Sequence, residues 1–211
     1  MDNLLNMKII DLGTKSYKVV WDYQKEMQQK RISNQIEDTL IFVEHLPVYT
    51  LGKNADQNHL LQTRNKSVEV FNIERGGDVT FHGPGQIVCY PIIDLGNYKK
   101  SVSWYMRVLE QIIIDSLKLF DLVGERKKGL TGVWVGEKKI AAQGVKISRW
   151  VTMHGFSLNV NPDLSFYDGI IPCGIFHYDV TSLEQLLNER QNMDNVKKII
   201  VNSFYNNFSI N

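Results

Sequence analysis

The sequence predicts an α/β protein, a single domain with a central mixed β-sheet flanked by helices. Three observations predict it. A strand-like segment and a helix-like segment open the chain and further strand-like segments follow, a middle segment has apolar residues at helical spacing, and residues 131–160 have the pattern of three strands joined by tight turns. A length of 211 residues suits one core, and no repeat or linker marks a boundary. We therefore expect one domain over residues 1–211.

The first half of the chain opens with a strand followed by a helix. Residues 8–12, KIIDL, have the composition of a short strand, and apolar residues then recur at roughly helical spacing over 17–27. Residues 39–51 contain the apolar run LIFV and then a proline, which predicts a buried strand leading into a turn. Two further strands are predicted at 68–71 and in IVCYPIIDL, residues 87–95.

The segment between these last two strands, residues 74–86, is rich in glycine. Its four glycines and one proline are too many for a regular element, so we expect a loop clamped between strands. Glycines let a backbone approach a ligand and present N–H donors to a carbonyl or a phosphate. A binding loop and a plain tight hairpin therefore both stay open. The segment matches neither common nucleotide-binding glycine pattern.

The second half of the chain contains its clearest helix. From Ser103 onwards, apolar residues fall on one side of a helix of about five turns, with Ser101 or Ser103 as a candidate cap. The three-stranded meander of residues 131–160 follows. After a turn-rich stretch, two amphipathic segments at 181–188 and 194–208 predict closing helices.

Composition and charge exclude several classes of function. Hydrophobic residues make up 43% of the chain and the net charge is +1, so nothing favours disorder or broad nucleic-acid binding. The N-terminal apolar run is too short for a signal peptide, and no stretch approaches a membrane span. Two cysteines without paired spacing give neither a disulfide framework nor a metal motif. We expect a cytoplasmic protein without a metal.

Three side chains are candidates for a chemical role, and a fourth, Cys89, is predicted to have a structural role only. Cys173 lies in GIIPCG, where proline and glycine break regular structure and place the thiol on a loop. Cys89 lies in the apolar strand IVCYP and is predicted to be a small buried residue. Lys139 begins the strand KIAAQG, and a nearby lysine lowers the pKa of a thiol and acts as a base once neutral. His154 could assist, and a structural role stays open for Cys173, Lys139 and His154 alike.

Three blocks of the sequence together resemble the lipoyl(octanoyl) transferase family, the protein N-octanoyltransferases that start lipoate biosynthesis. The segment RGGDVTFHGPGQIVCYP, residues 75–91, matches the family's signature of Arg-Gly-Gly, Thr, an aromatic residue, His, Gly-Pro-Gly-Gln and Tyr-Pro. Residues 132–160 are similar to the family's lysine-bearing meander, and GIIPCGI, residues 169–175, is similar to its nucleophile loop. The resemblance covers residues 40–185.

The resemblance implies a fold and a role for individual residues. The fold would be the catalytic fold of biotin and lipoate protein ligases. Cys173 would be the nucleophile that accepts the acyl group, and Lys139 would lower its pKa and help to deprotonate the incoming amine. His154 is a further supporting candidate. The substrate-binding residues would be Arg75, Gly76, Gly77, Asp78, Val79, Thr80, Phe81, His82, Ala142, Gln143, Gly144, Gly155, Phe156 and Ser157.

The resemblance also implies the partners and the reaction. The acyl donor would be octanoyl-acyl carrier protein, with the acyl group carried on its phosphopantetheine. The acceptors would be lysines of lipoyl domains, in the E2 subunits of 2-oxoacid dehydrogenases and in the glycine cleavage H protein. Transfer through a Cys173 thioester would need no cofactor, neither ATP nor a metal, because a thioester is already activated.

Three other functions stay open at this point. An ATP-dependent lipoate or biotin ligase on the same fold would form an acyl-adenylate and need no cysteine nucleophile. A carrier-binding module would use the glycine-rich segment to dock a prosthetic arm, with Cys173 incidental. A thioesterase would hydrolyse the acyl-enzyme to a free acid.

Overall fold

The computed structural model describes residues 7–171 and 179–208. In chain order the strands are β1 (Lys8–Lys15), β2 (Thr39–His45), β3 (Val48–Leu51), β4 (Glu69–Asn72), β5 (Val79–His82), β6 (Gln86–Ile92), β7 (Val133–Val135), β8 (Lys138–Ser148) and β9 (Val151–Asn159). The helices are α1 (Tyr17–Ile32), α2 (Val102–Lys118), α3 (Leu183–Leu187) and α4 (Met193–Asn207).

Over these residues the strands form two sheets. The larger sheet has six strands in the order β1-β2-β6-β9-β8-β7, and the smaller has three in the order β4-β3-β5. In each sheet one pair is parallel, β1 with β2 and β3 with β4, while the other pairs are antiparallel. The larger sheet is therefore the predicted central mixed sheet, and the smaller is a second mixed sheet that the sequence did not predict.

Helices cover both faces of the larger sheet, which explains its continuous apolar strands. In β2, Leu40 and Phe42 pack with α2 and α4, while Ile41 and Val43 pack with α1. Successive side chains of a strand point to opposite faces, so a strand buried on both faces has no polar alternation. Cys89 follows the same rule. It is fully buried in β6, where burial raises its pKa well above the usual range.

The structure confirms the predicted order of elements, with two corrections. Residues 39–51, predicted to be one buried strand leading into a turn, form two strands, β2 and β3, which belong to different sheets. The helices, the meander and the strands lie where the patterns place them, and the Ser101 side chain caps α2 by accepting the backbone N–H of Trp104. The segment 74–86 is not wholly a loop, because it contains β5. Its central residues VTFH include no glycine, and they pair antiparallel with β3 from Val48↔His82 to Leu51↔Val79.

No helix in the described ranges is long and apolar enough to cross a membrane.

Candidate active site

A cavity of about 620 Å³ is lined by residues of both sheets. Its walls come from the glycine-rich segment and β5, from the middles of β8 and β9, from the start of α2 and from residues 129–131. Most residues that the resemblance implies for the substrate meet here. They are Arg75, Gly76, Gly77, Asp78, Val79, Thr80, His82, Ala142, Gln143, Gly144, Gly155, Phe156 and Ser157, together with Lys139 and His154.

Phe81 is the implied substrate-binding residue that does not line this cavity. Its side chain is 1% exposed and stacks on Phe166 with ring centroids 4.6 Å apart, beside Tyr49 at 5.5 Å. Because side chains alternate along a strand, Thr80 and His82 reach the cavity while Phe81 packs into the core of the smaller sheet. Residues that are consecutive in the sequence therefore do not all line the cavity.

Lys139 lies in the cavity wall, with 8% of the residue exposed. Its Nζ lies 5.1 Å from the centre of the Trp134 ring. Its backbone pairs with the chain just after the Cys173 segment, since Lys139 N–H donates to Asp179 O (2.9 Å) and Thr181 N–H donates to Lys139 O (3.0 Å). Cys173 itself lies outside the described residues.

Arg75 joins the glycine-rich segment to the smaller sheet. Its Nη2 donates to the carbonyl and the hydroxyl of Thr50, at 2.7 and 2.9 Å. The next residue along the chain, Gly76, donates its N–H to Val145 O of β8 (3.0 Å). A Cβ on Gly144 would stand 2.6 Å from Gly76 O, so this close approach of two backbones requires glycine. These contacts fix one wall of the cavity.

A buried network of amides lies behind His82. His82 Nδ1–H donates to Gln86 Oε1 (2.6 Å), and Gln86 Nε2 donates to Asn159 Oδ1 (2.8 Å) and to Tyr167 OH (3.1 Å). Asn159 Nδ2 donates onward to Thr181 O (3.0 Å). Burial lowers the pKa of His82 to about 3, and the ring is therefore neutral.

His154 lines the cavity with an unusual backbone conformation and a buried imidazole. It pairs with Val145 on β8, has a positive φ of 60° and is 1% exposed. Neither ring nitrogen has a hydrogen-bond partner within the described part of the chain, and Nε2 lies 4.0 Å from Glu74 Oε2. Burial lowers the pKa of His154 to about 3 despite the nearby Glu74 carboxylate. The side chain is neutral.

Several cavity residues were not identified from the sequence. Tyr17, Asn54, His59 and Asn159 line the cavity from distant parts of the chain, and local pattern gives no signal for them. Tyr90 also lines it, and its place in the Tyr-Pro end of the signature could have pointed to it. Among the described side chains there is no cluster of three or more His, Cys, Asp or Glu that could hold a metal ion.

The solved structure of a bipartite lipoate protein ligase from Thermoplasma acidophilum, determined in a study that included its E2 lipoyl domain, has a similar fold. The TM-score is 0.75, and the match covers 98% of this chain and 85% of that chain at 13% identity. The two mixed sheets and the cavity between them therefore define a protein with the lipoate protein ligase type of fold, which confirms the predicted fold class.

Sequence comparison narrows this class to a family. The family model described as the lipoyl protein ligase A/B catalytic domain matches residues 16–205. An octanoyltransferase of Gloeobacter violaceus is 50% identical over 84% of this chain and 80% of that protein. One of Flavobacterium psychrophilum is 46% identical over 94% of each. The chain belongs to the lipoyl(octanoyl) transferase family, and it is an acyltransferase. The resemblance found in the sequence is confirmed.

Proposed function

We propose that this protein transfers an octanoyl group from octanoyl-acyl carrier protein, through a thioester on Cys173, to a lysine of a lipoyl domain. The observation that carries the proposal is the position of Lys139. A buried lysine lines a cavity large enough for an acyl chain, and its backbone is bonded to Asp179 and Thr181, just beyond the segment that contains Cys173. The names of the relatives, octanoyltransferases, support the octanoyl group.

The dimensions and charge of the cavity suit a medium-length acyl chain. From Lys139 to Gly144 the wall follows six residues of β8, which span about 17 Å at the usual rise of a strand. Burial keeps the cavity residues His82 and His154 neutral, and it raises the pKa of Tyr90 well above its usual range. Beyond Lys139, the lining residues of β8 include Ala141, Ala142, Gln143 and Gly144, which carry no charge, so an apolar chain could lie along them.

The first step would load the enzyme. The Cys173 thiolate attacks the thioester carbonyl carbon, the new C–S bond forms, and the C–S bond to phosphopantetheine breaks and leaves its sulfur as a thiolate. The ammonium of Lys139 stabilises the Cys173 thiolate before attack because an adjacent cation lowers the pKa of a thiol.

The second step would form the amide. The neutral amine of the acceptor lysine attacks the acyl carbon on Cys173, the C–N bond forms, the nitrogen loses a proton, and the C–S bond breaks to regenerate the thiolate. Since a lysine has a reference pKa of about 10.4, the amine needs a base in the site. No ATP and no metal enter this proposal, because the thioester supplies the activation.

Intact-mass spectrometry after incubation with octanoyl-acyl carrier protein tests the proposal. The expected result is one octanoyl adduct that hydroxylamine removes and that the Cys173→Ala variant lacks. An ATP-dependent ligase would instead give no adduct and would need ATP to acylate a lipoyl domain. A thioesterase would release octanoate without acylating the domain, and a carrier-binding module would do neither. Any of these three results would overturn the proposal.

A further inference from the structure

Gln143 places a side-chain amide in the cavity wall, on the face of β8 that looks towards α2. Its Nε2 donates to Glu110 Oε1 (3.0 Å) and to Met106 O (3.2 Å), both on α2. Each partner only accepts hydrogen bonds, so the amide cannot be reversed without setting its carbonyl against a carboxylate and a second carbonyl. The carbonyl oxygen Oε1 therefore points away from these two acceptors.

Glu110 fixes this orientation from the interior. Its side chain is 4% exposed, and its other oxygen, Oε2, accepts from Arg107 Nη1 and from Arg126 Nε, each at 2.8 Å. With two guanidinium groups on Oε2, the oxygen Oε1 is left for the amide of Gln143. Arg126 lies in the loop before β7, so the same carboxylate also ties this loop to α2.

The carbonyl oxygen of Gln143 is left without a donor. Oε1 is buried, and among the described residues no N–H or O–H lies within hydrogen-bond distance of it. An unpaired buried acceptor costs free energy, so a ligand that brings an N–H to Oε1 gains a hydrogen bond that the protein itself does not supply. Met106 lines the cavity beside Gln143, and its unbranched side chain can adapt to such a ligand.

The cavity reaches the protein surface on the same side. Val102, in the first turn of α2, is 50% exposed, and Thr131, in the loop before β7, is exposed, yet both line the cavity. The next residue, Gly132, lies so close to Lys139 that an added Cβ would stand 3.2 Å from the lysine Nζ. A thioester that reaches Lys139 from this side brings the arm that carries it past Gln143.

The two faces of β8 suit different parts of an acyl donor. Side chains alternate along a strand, so Gly144 faces the glycine-rich segment while Gln143 faces α2. An octanoyl group has no hydrogen-bond donor, whereas the phosphopantetheine arm has two amide N–H groups. The amine of the acceptor lysine must reach an acyl carbon near Lys139, which lies about 13 Å from Gln143 along β8 at the usual rise of a strand. The arm is therefore the part of the substrates that can supply a donor to Gln143.

We propose that Gln143 is a specificity-determining residue that accepts a hydrogen bond from an amide N–H of the pantetheine arm of the acyl donor, with Glu110 as its positioning residue. The inference rests on the proposed function, because it names the part of the donor that this face of the cavity binds. The contact does not involve the acyl group. It favours pantetheine thioesters over simple thioesters of the same acid.

Binding of an unreactive ligand tests the contact separately from the chemistry. S-octylpantetheine is a thioether, so it cannot transfer an acyl group, and calorimetric titration gives its Kd for the full-length protein. The same titration is made with Gln143→Met, in which the side chain keeps its length but loses the amide. The matched control is Gln111→Met, because Gln111 follows Glu110 on α2 and does not line the cavity.

We expect the Kd to rise about three- to tenfold in Gln143→Met, the usual effect of losing one neutral hydrogen bond, and to be unchanged in Gln111→Met. Equal affinity of the unmodified protein and Gln143→Met, or an equal loss in Gln111→Met, would overturn the inference.

The rate of acyl-enzyme formation, followed by intact mass, gives a second measurement. Gln143→Met should lose the same factor in kcat/KM with octanoyl-pantetheine but nothing with S-(2-methoxyethyl) thiooctanoate, which has no N–H. An equal loss with both thioesters would show that Gln143 does not recognise the arm. If the unmodified protein bound S-octylpantetheine more tightly than Gln143→Met but formed no acyl-Cys173, the proposed function would fall and the binding site for the arm would stand.

Discussion

Acidification from pH 7 to pH 5 should destabilise this protein strongly, because three histidines are buried in the neutral form. Burial lowers the pKa of His45 to about 4 and the pKa of both His82 and His154 to about 3, from an ordinary value of 6.5. In His45 the neutral form is also built into hydrogen bonds. Nδ1–H donates to Lys15 O, which leaves Nε2 to accept the hydroxyl proton of Tyr90.

The magnitude follows from linkage. A lowered folded-state pKa means that the unfolded chain binds more protons below pH 6.5, so the stabilisation is present above that pH and is lost as the pH falls towards 3 to 4. Between pH 7 and pH 5 each histidine lowers the free energy of unfolding by about 2 kcal/mol. This value is nearly the same for any folded-state pKa of about 4 or lower. Three such groups sum to about 6 kcal/mol, comparable with the whole stability of many domains.

Urea unfolding at half-unit steps between pH 7 and pH 5 measures this effect. Near pH 5.5 the free energy of unfolding should fall by about 1 kcal/mol per pH unit for each histidine. The variant His45→Gln can still accept from Tyr90 and should remove about one third of the slope. A total slope below about 1 kcal/mol per pH unit, or an unchanged slope in His45→Gln, would refute the reasoning, because it would mean that these histidines become protonated in the folded state.

Three further substitutions distinguish residues that stabilise the fold from residues that take part in the proposed reaction. Phe81→Ala should cost about 3–5 kcal/mol of stability in urea unfolding, as for other buried aromatic residues, but should leave the KM for octanoyl-acyl carrier protein within about twofold. Lys139→Met should slow the alkylation of Cys173 by iodoacetamide at least about tenfold, while Met at the neighbouring Lys138 should not; equal rates in the two variants would remove the proposed thiolate partner. Gly144→Ala places a Cβ 2.6 Å from a backbone oxygen of the glycine-rich segment. It should therefore lower the free energy of unfolding by about 1–3 kcal/mol and slow acyl loading. An unchanged stability and loading rate would show that the two backbones can separate.

The sequence predicted the elements whose environment is uniform along their length. The central strands β2 and β6 are buried on both faces, and their unbroken apolar runs were enough to find them. The helix α2 has its apolar residues on one side and a serine cap, so both its face and its start were visible. Local composition is enough to predict such elements, and no knowledge of the elements that pack against them is needed.

Elements that depend on distant partners were not predictable in the same way. The strand β5 has four residues between two glycine-rich stretches, and it exists because β3 pairs with it along its whole length. On the cavity wall, the hydrogen bond between His59 and Asp78 joins positions nineteen residues apart through a turn that carries no local signal. Family motifs identified Asp78 but not its partner, since a motif marks a stretch of chain and a site is assembled from several.

The buried side-chain amides of Gln86 and Asn159 explain how one hydrogen-bonded unit can hold both the residues that precede the Cys173 segment and the residues that follow it. Tyr167, on the entering side, accepts from Gln86, and Thr181, on the leaving side, accepts from Asn159 through its carbonyl. Gln86 and Asn159 are bonded to each other at 2.8 Å, so the two anchors share a single hydrogen-bonded unit. Apolar residues could fill the same volume, but they would not set the distance between the anchors, because apolar packing is not directional. Since Thr181 also donates to the backbone of Lys139, this unit holds the lysine in register with the chain on which the proposed nucleophile lies.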